Sequence, residues 1–344
     1  MTIEPGSNLR DLARHAADDG ADLLGVAGGD GSIADVAGVA ADRDLPFLVV
    51  PAGTRNHFAR DLGLDLRHPT AALRALADGT EIRVDLGRIG ERSFVNNISF
   101  GLYADAVSRP EYRDAKTTTL LDRVPTFAGP TAAASGLRCT SAGHAGVIDP
   151  TIVVVSNNAY LPGGLTTPRT RPSLQQGVLG VLSLHARSGL DLALLALAGP
   201  GPVEGNATWI APLAMVSAST PTVTAAVDGE PVDIPAPVEI ASRPAALRMR
   251  LPRHRPTTHP ASALHPTFAI VRLLACLAGR PDPDSTPRHS RSPRTDHSTI
   301  SRGAATTAAG TCSTSSQHIL AKSAPQHILA RSAPRTPATC SPRC

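Results

Sequence analysis

Two glycine loops and a few acids carry the chemistry open to this chain. The first loop is Gly28-Gly29-Asp30-Gly31-Ser32 and the second is Pro51-Ala52-Gly53-Thr54-Arg55-Asn56-His57-Phe58-Ala59. A glycine loop between a strand and a helix can hold phosphate oxygens, because backbone N–H groups and the helix dipole both favour the anion. Glycine suits it because a Cβ would block the turn and the close approach of phosphate. An acid inside the loop, here Asp30, repels phosphate unless it binds Mg²⁺ or accepts a hydrogen bond from the nucleotide. Farther along, Asp85 stands in VDLGRI, and Asp228 and Glu230 stand in VDGEPV. Asp-Gly between two apolar runs is also a standard hairpin turn, so Asp228 has a structural reading beside that of a proton acceptor. Asp85 has two readings as well, flanking a strand turn or approaching a metal.

Elements to position these residues follow from periodicity. Leu9, Leu12, Ala13 and Ala16 have helical spacing over residues 8–19, and Gly20 ends that helix. Ala21–Ala27 and Pro46–Val50 are short apolar runs that predict buried parallel strands. Ile33–Ala41 reads as a helix capped by Ser32 or Asp30, and a further helix is expected over 69–78. Strand, glycine loop, helix, twice over, predicts an α/β domain with a parallel sheet, in which both loops face one crevice. Gly29 to Ala34 also reads G-x-G-x-x-A, but the next strand ends Val49-Val50-Pro51-Ala52, without the acid a dinucleotide site needs for ribose.

From Glu81 onward, alternating runs such as SFVNNISF, TIVVVSNNAY and ALRMRL predict antiparallel sheets, interrupted by a helical stretch over Leu190–Ala198. The expected division is an α/β domain over 1–85 and a second, β-sandwich domain over 86–255. A linker with a helix at Phe268–Ala278 fills 256–279, and a disordered basic tail fills 280–344. Inside the tail, Gln317–Pro325 (QHILAKSAP) and Gln326–Pro334 (QHILARSAP) form a tandem repeat, too short for a solenoid.

The net charge of +4 over 344 residues hints at an anionic partner, but it divides unevenly. Residues 1–252 hold 21 Lys+Arg against 26 Asp+Glu, and residues 253–344 hold 12 against 3. The basic character belongs to the tail, so it is no evidence for nucleic acid. Three Tyr, one Trp and six Phe are too few for base-stacking platforms. The only lysines, Lys116 and Lys322, exclude a G-x-x-x-x-G-K-[ST] loop. Five cysteines with no C-x-x-C pair argue against zinc or a disulfide framework. No leader and no run of 18 apolar residues is evident, so a cytoplasmic protein is expected, with peripheral contact to a membrane surface.

GGDGS followed by PAGTRNHFARDLG resembles the catalytic domain of the diacylglycerol kinase family of lipid kinases, which includes bacterial lipid kinases and sphingosine kinases. VDLGRI, FVNNISFGLYADAV, VVSNNAY, VDGEPV and RPAALRMRLP extend the resemblance over roughly residues 8–255. NAD kinases share the first loop and the two-domain plan, but the second loop favours lipid kinases. The resemblance implies transfer of the ATP γ-phosphate to the hydroxyl of a lipid such as diacylglycerol or a sphingoid alcohol. By the same resemblance, Gly28, Gly29, Asp30, Gly31, Ser32, Gly53, Thr54 and Asn56 would bind ATP. Asp30 and Asp85 would approach Mg²⁺, and Asp228, with Glu230 and Asp30, would be catalytic.

Three departures bear on that reading. His57 stands where the family has Asp, either bonding phosphate or serving as a neutral filler. Gln176-Gly177-Val178-Leu179-Gly180 lacks both acids of a family D-G-x-L-D segment, so no Mg²⁺ is expected there. The family's first strand and N-P-x-x-G loop are expected upstream of Met1, or else the nucleotide site is incomplete. A degenerate, non-catalytic nucleotide- or lipid-binding protein is therefore the alternative, and NAD kinase the third reading.

Overall fold

A computed structural model describes residues 8–54, 56–110, 136–160, 171–186, 188, 191, 206–255 and 327–331. The elements in chain order are α1 (Leu9–Asp18), β1 (Leu23–Gly28), α2 (Asp30–Asp42), β2 (Phe47–Pro51) and α3 (His57–Asp61). A 3₁₀ helix (Pro69–Leu76) follows, then β3 (Gly79–Ile89), β4 (Arg92–Phe94), β5 (Asn97–Gly101) and α4 (Leu102–Val107). The remaining strands are β6 (Arg138–Ser141), β7 (His144–Ile148), β8 (Ile152–Asn157), β9 (Leu179–Leu184), β10 (Ala207–Ala211) and β11 (Leu213–Ser217). They continue with β12 (Thr222–Val227), β13 (Glu230–Pro235), β14 (Val238–Pro252) and β15 (His327–Arg331).

The expected parallel pair is present: β1 and β2 run parallel from Leu24 opposite Phe47 to Gly28 opposite Pro51. Apolar residues on both faces of these strands fit a sheet covered on two sides. Leu24, Val26, Phe47, Leu48 and Val49 are buried with Ile33, Val36 and Val39 of α2 and Phe58 of α3 in the first core. Asn8 caps α1 by accepting the N–H groups of Arg10 and Asp11, as its short polar side chain allows.

Two sheets organise the described residues. The larger runs β15-β1-β2-β14-β11-β6-β7, with β3 on β14 and β4 on β3, and the smaller runs β10-β9-β8-β5-β12-β13. A second core fills the space between them, with Phe94, Val216 and Ile240 from the larger sheet against Ile98, Phe100, Val153, Val181 and Ala225 from the smaller. Such sheet-on-sheet burial is the expected use of period-two strands. β3 and β14 pass from one core to the other, because Leu86 and Leu247 lie in the first and Ile89 and Ile240 in the second.

Some expectations are corrected. The helix expected over 69–78 is a 3₁₀ helix over Pro69–Leu76, with Pro at its start. α2 begins at Asp30, its N-cap is Gly29 and no side chain caps it, because the Asp30 carboxylate is engaged elsewhere. Disorder was expected throughout 280–344, yet His327–Arg331 forms a strand whose backbone completes a ladder with β1. The helices expected at Leu190–Ala198 and Phe268–Ala278 fall outside the described residues, apart from Asp191 of the first. Among the described residues no helix is long and apolar enough to cross a membrane.

Candidate active site

The two glycine loops touch. The N–H groups of Ala52 and Gly53 donate to the carbonyl of Gly28, each at 3.2 Å. A Cβ on Gly53 would stand 2.2 Å from the Cα of Gly29, closer than real atoms approach, so the contact depends on glycine. Asn56 closes its own loop: its Oδ1 accepts the Gly53 N–H at 3.0 Å and its Nδ2 donates to the Gly53 carbonyl at 2.6 Å. Asn56 also takes a left-handed φ of 50°, which Asn tolerates better than most residues.

Asp30 joins the loops. Its carboxylate accepts the N–H of His57 at 3.0 Å and of Phe58 at 3.1 Å, so an acid from the first loop caps the short helix that begins in the second. The sequence-based expectations had Asp30 capping α2 or meeting Mg²⁺ or nucleotide, and did not include this cap of α3. The start of α2 carries no side-chain cap, and its first-turn N–H groups suit a phosphate. Ser32 is buried within that first turn, whereas Thr54 is exposed at the tip of the second loop.

The third piece comes from the far end of the chain. Asp228 and Gly229 have φ values of 49° and 87°, and Val227 pairs with Glu230, which makes a two-residue hairpin turn between β12 and β13. The structural reading of Asp228 is therefore correct as far as it goes, and the carboxylate does more. One oxygen accepts the Val95 N–H at 2.8 Å, and the other accepts those of Asn96 at 2.8 Å and Asn97 at 3.1 Å. Desolvation nevertheless dominates and pushes the Asp228 carboxyl up to about 7, with the Asp30 charge acting in the same direction against those N–H bonds. Glu230 reaches the first loop, since a Cβ on Gly31 would lie 3.5 Å from its Cγ. Asp30, Gly31, Asp228 and Glu230 thus belong to one locality, although about 200 residues of sequence separate the two pairs.

Asp85 has another environment. It is buried, and its carboxylate accepts the Gly177 N–H at 2.6 Å and the Ala245 N–H at 2.7 Å, the latter at the irregularity of β14 between Arg243 and Leu247. Each oxygen accepts one backbone N–H, which fits the strand-turn reading of this residue. Among the described residues no three His, Cys, Asp or Glu side chains gather around one point, so the donor set does not fit a protein-built Mg²⁺ cage. Gln176, in the segment that departs from the family, uses its side-chain carbonyl to accept the Ala159 N–H at 3.2 Å.

Arg171 escaped the sequence reading. Its guanidinium is fully buried and paired with Asp61 of α3, with Nε 2.6 Å from a carboxylate oxygen. Nη1 donates to the carbonyls of Val95 at 2.6 Å and Asn157 at 3.2 Å, and Nη2 donates to the Asn96 side chain at 2.8 Å. The ring of Tyr160 lies 5.6 Å from the guanidinium carbon. One arginine therefore fixes the segment whose N–H groups hold Asp228. An Arg in a Pro-rich, Thr-rich stretch, with Arg169 two residues before it, gives no periodic signal, and its partner Asp61 lies 110 residues away.

The N-terminal part of the chain is similar to known proteins. Residues 1–89 match the model of the diacylglycerol kinase catalytic domain. A diacylglycerol kinase of Mycobacterium tuberculosis is 40% identical over 82 residues, which is 24% of this chain and 26% of that protein. A YegS-like lipid kinase of Chromohalobacter salexigens is 34% identical over 108 residues, 30% of this chain and 34% of that protein. The matched region thus spans about a quarter to a third of these relatives. The fold likeness runs farther: a solved diacylglycerol kinase structure from Bacillus anthracis aligns over 73% of this chain and 84% of its own, at TM-score 0.51 and 18% identity. Residues 1–89 are thus similar to the diacylglycerol kinase catalytic domain, and the fold beyond them is similar to that of the solved structure.

Proposed function

We propose that the protein is an ATP-dependent lipid kinase that transfers the γ-phosphate to a lipid hydroxyl, with diacylglycerol or a sphingoid-type alcohol as acceptor. The observation that carries this reading is the meeting of the Asp228–Glu230 hairpin with the Gly28–Ser32 loop, which brings a proton acceptor beside a phosphate cradle. In this reading Gly28, Gly29, Gly31 and Ser32 with the start of α2 take the phosphates, and Gly53, Thr54 and Asn56 form the second wall of the nucleotide site. Asp30 keeps the two loops in register. The lipid oxygen bonds to the γ-phosphorus, its proton passes to the Asp228 carboxylate, and the bond to the β-phosphate oxygen breaks to release ADP. A carboxyl near pH 7 is matched to that exchange, since it is partly ionised at the working pH and still basic enough to accept the proton.

Mg²⁺ bound with ATP would neutralise phosphate charge. Since no protein cage for it exists among the described residues, no step is assigned to it. The test is phosphorylation of a lipid panel, with NAD as a competing acceptor, by full-length protein and by Asp228→Asn. Labelled lipid from the wild type alone supports the reading. Labelled NAD in place of lipid, or nucleotide binding without any transfer, replaces it with one of the two alternatives.

A further inference from the structure

Two segments of the sequence carry a pair of asparagines, Asn96-Asn97 in FVNNISF and Asn157-Asn158 in VVSNNAY, and the fold sets them side by side. Asn97 of β5 lies opposite Ser156 of β8, and the Asn157 N–H donates to the Asn96 carbonyl at 2.9 Å. The backbone of Asn97 is given over to the Asp228 turn: its N–H donates to the carboxylate at 3.1 Å, and its carbonyl accepts the Asp228 N–H at 2.9 Å. Its side chain faces elsewhere and hydrogen-bonds to the hydroxyl of Tyr160, the last residue of VVSNNAY. The ring of Tyr160 lies in turn 5.6 Å from the guanidinium carbon of Arg171.

Each of the three residues that donate to the Asp228 carboxylate is thus gripped from behind. Arg171 holds the carbonyl of Val95 and the side chain of Asn96, and Tyr160 holds the side chain of Asn97. Burial pushes the Tyr160 phenol above its ordinary value against the pull of the Arg171 charge, so the third grip is a neutral hydroxyl. The grip matters because a group that accepts a proton works only in a narrow range of positions, and a misplacement of about 1 Å costs about 10²-fold in rate. We propose that Tyr160 is a positioning residue: through the Asn97 side chain it keeps the Asn97 N–H on the Asp228 carboxylate and so keeps that carboxylate aimed at the reacting hydroxyl. Its effect on catalysis rests on the proposed role of Asp228 as proton acceptor.

Hydrogen exchange and transfer of label from ATP to diacylglycerol vesicles, both on the full-length chain, test this. Tyr160→Phe keeps the ring beside Arg171 and should exchange the Asn97 amide at least about tenfold faster, while β1 and β2 stay as protected as in the wild type. The same variant should lower kcat about tenfold and leave the KM for ATP unchanged. Asn97→Ala removes the contact from the other side and should reproduce both effects. With Asp228→Asn already in place, Tyr160→Phe should lower kcat no further, because it acts through that carboxylate. Unchanged exchange at residue 97 in both single variants overturns the proposal, and so does an equal loss of kcat with and without the Asp228 carboxylate. A wild type that labels no lipid overturns the lipid-kinase reading and the catalytic effect with it, and exchange at Asn97 then decides the grip of Tyr160 by itself.

Discussion

Arg171 and Asp61 form an ion pair that is buried on both sides, and it ties α3 of the first core to the segment at Val95–Asn97 that holds Asp228. Two charges removed from water repay their desolvation only with good geometry and further hydrogen bonds, and Arg171 has three of these to Val95, Asn157 and Asn96. Removing one partner leaves the other charged and unpaired. Arg171→Met and Asp61→Asn should each destabilise the protein by about 3–5 kcal/mol, and the double variant by clearly less than the sum. Urea unfolding of the four proteins in this cycle checks it, and strict additivity would contradict a direct pair.

The raised Asp228 carboxyl ties stability and activity to pH in opposite senses. Because its folded value of about 7 lies above the ordinary 3.8, the folded state binds more protons than the unfolded chain in that interval. The stability contributed by the neutral group is complete below about 3.8 and is lost as pH rises through about 7. The proposed proton transfer needs the ionised form, so kcat/KM should rise with pH through an apparent pKa near 7. Asp30→Asn removes a neighbouring charge and should move that limb to lower pH. A pH–rate profile of residual Asp30→Asn activity checks the direction, and a limb moved to higher pH would contradict it.

Glycine is required at the contact between the loops and less so one turn farther on. Gly53→Ala puts a Cβ 2.2 Å from the Gly29 Cα, against backbone that cannot swing aside, and should cost about 1–3 kcal/mol and weaken ATP binding tenfold or more. Gly31→Ala meets only Glu230 at 3.5 Å and should leave stability unchanged or raise it by up to about 1 kcal/mol. Thermal unfolding and calorimetric ATP titration distinguish the two.

Local pattern explains what was legible in the sequence. Apolar runs bounded by glycine located β1, β2 and the loops between strand and helix, and Asp-Gly between strands located the turn at Asp228. Long-range partnerships were not legible. Nothing local tells that the Asp30 carboxylate turns to the N–H groups of His57 and Phe58 instead of outward, or that Asp85 is spent on Gly177 and Ala245. Arg171 shows the same limit, since its meaning lies in partners from three separate segments. The tail strand was hidden by composition, because five ladder-forming residues sit in a stretch dominated by Pro, Ser and Thr.

The central claim is that the glycine loops bind ATP and the Asp228 carboxylate takes the acceptor's proton in one site. The most direct measurement follows γ-labelled ATP with diacylglycerol vesicles and full-length wild type or Asp228→Asn, with ATP affinity measured on both proteins. The substitution keeps the shape of the side chain and should leave ATP affinity within about threefold while lowering label transfer to lipid by about 10²-fold or more. Transfer by Asp228→Asn at the wild-type rate, with ATP affinity unchanged, would contradict it.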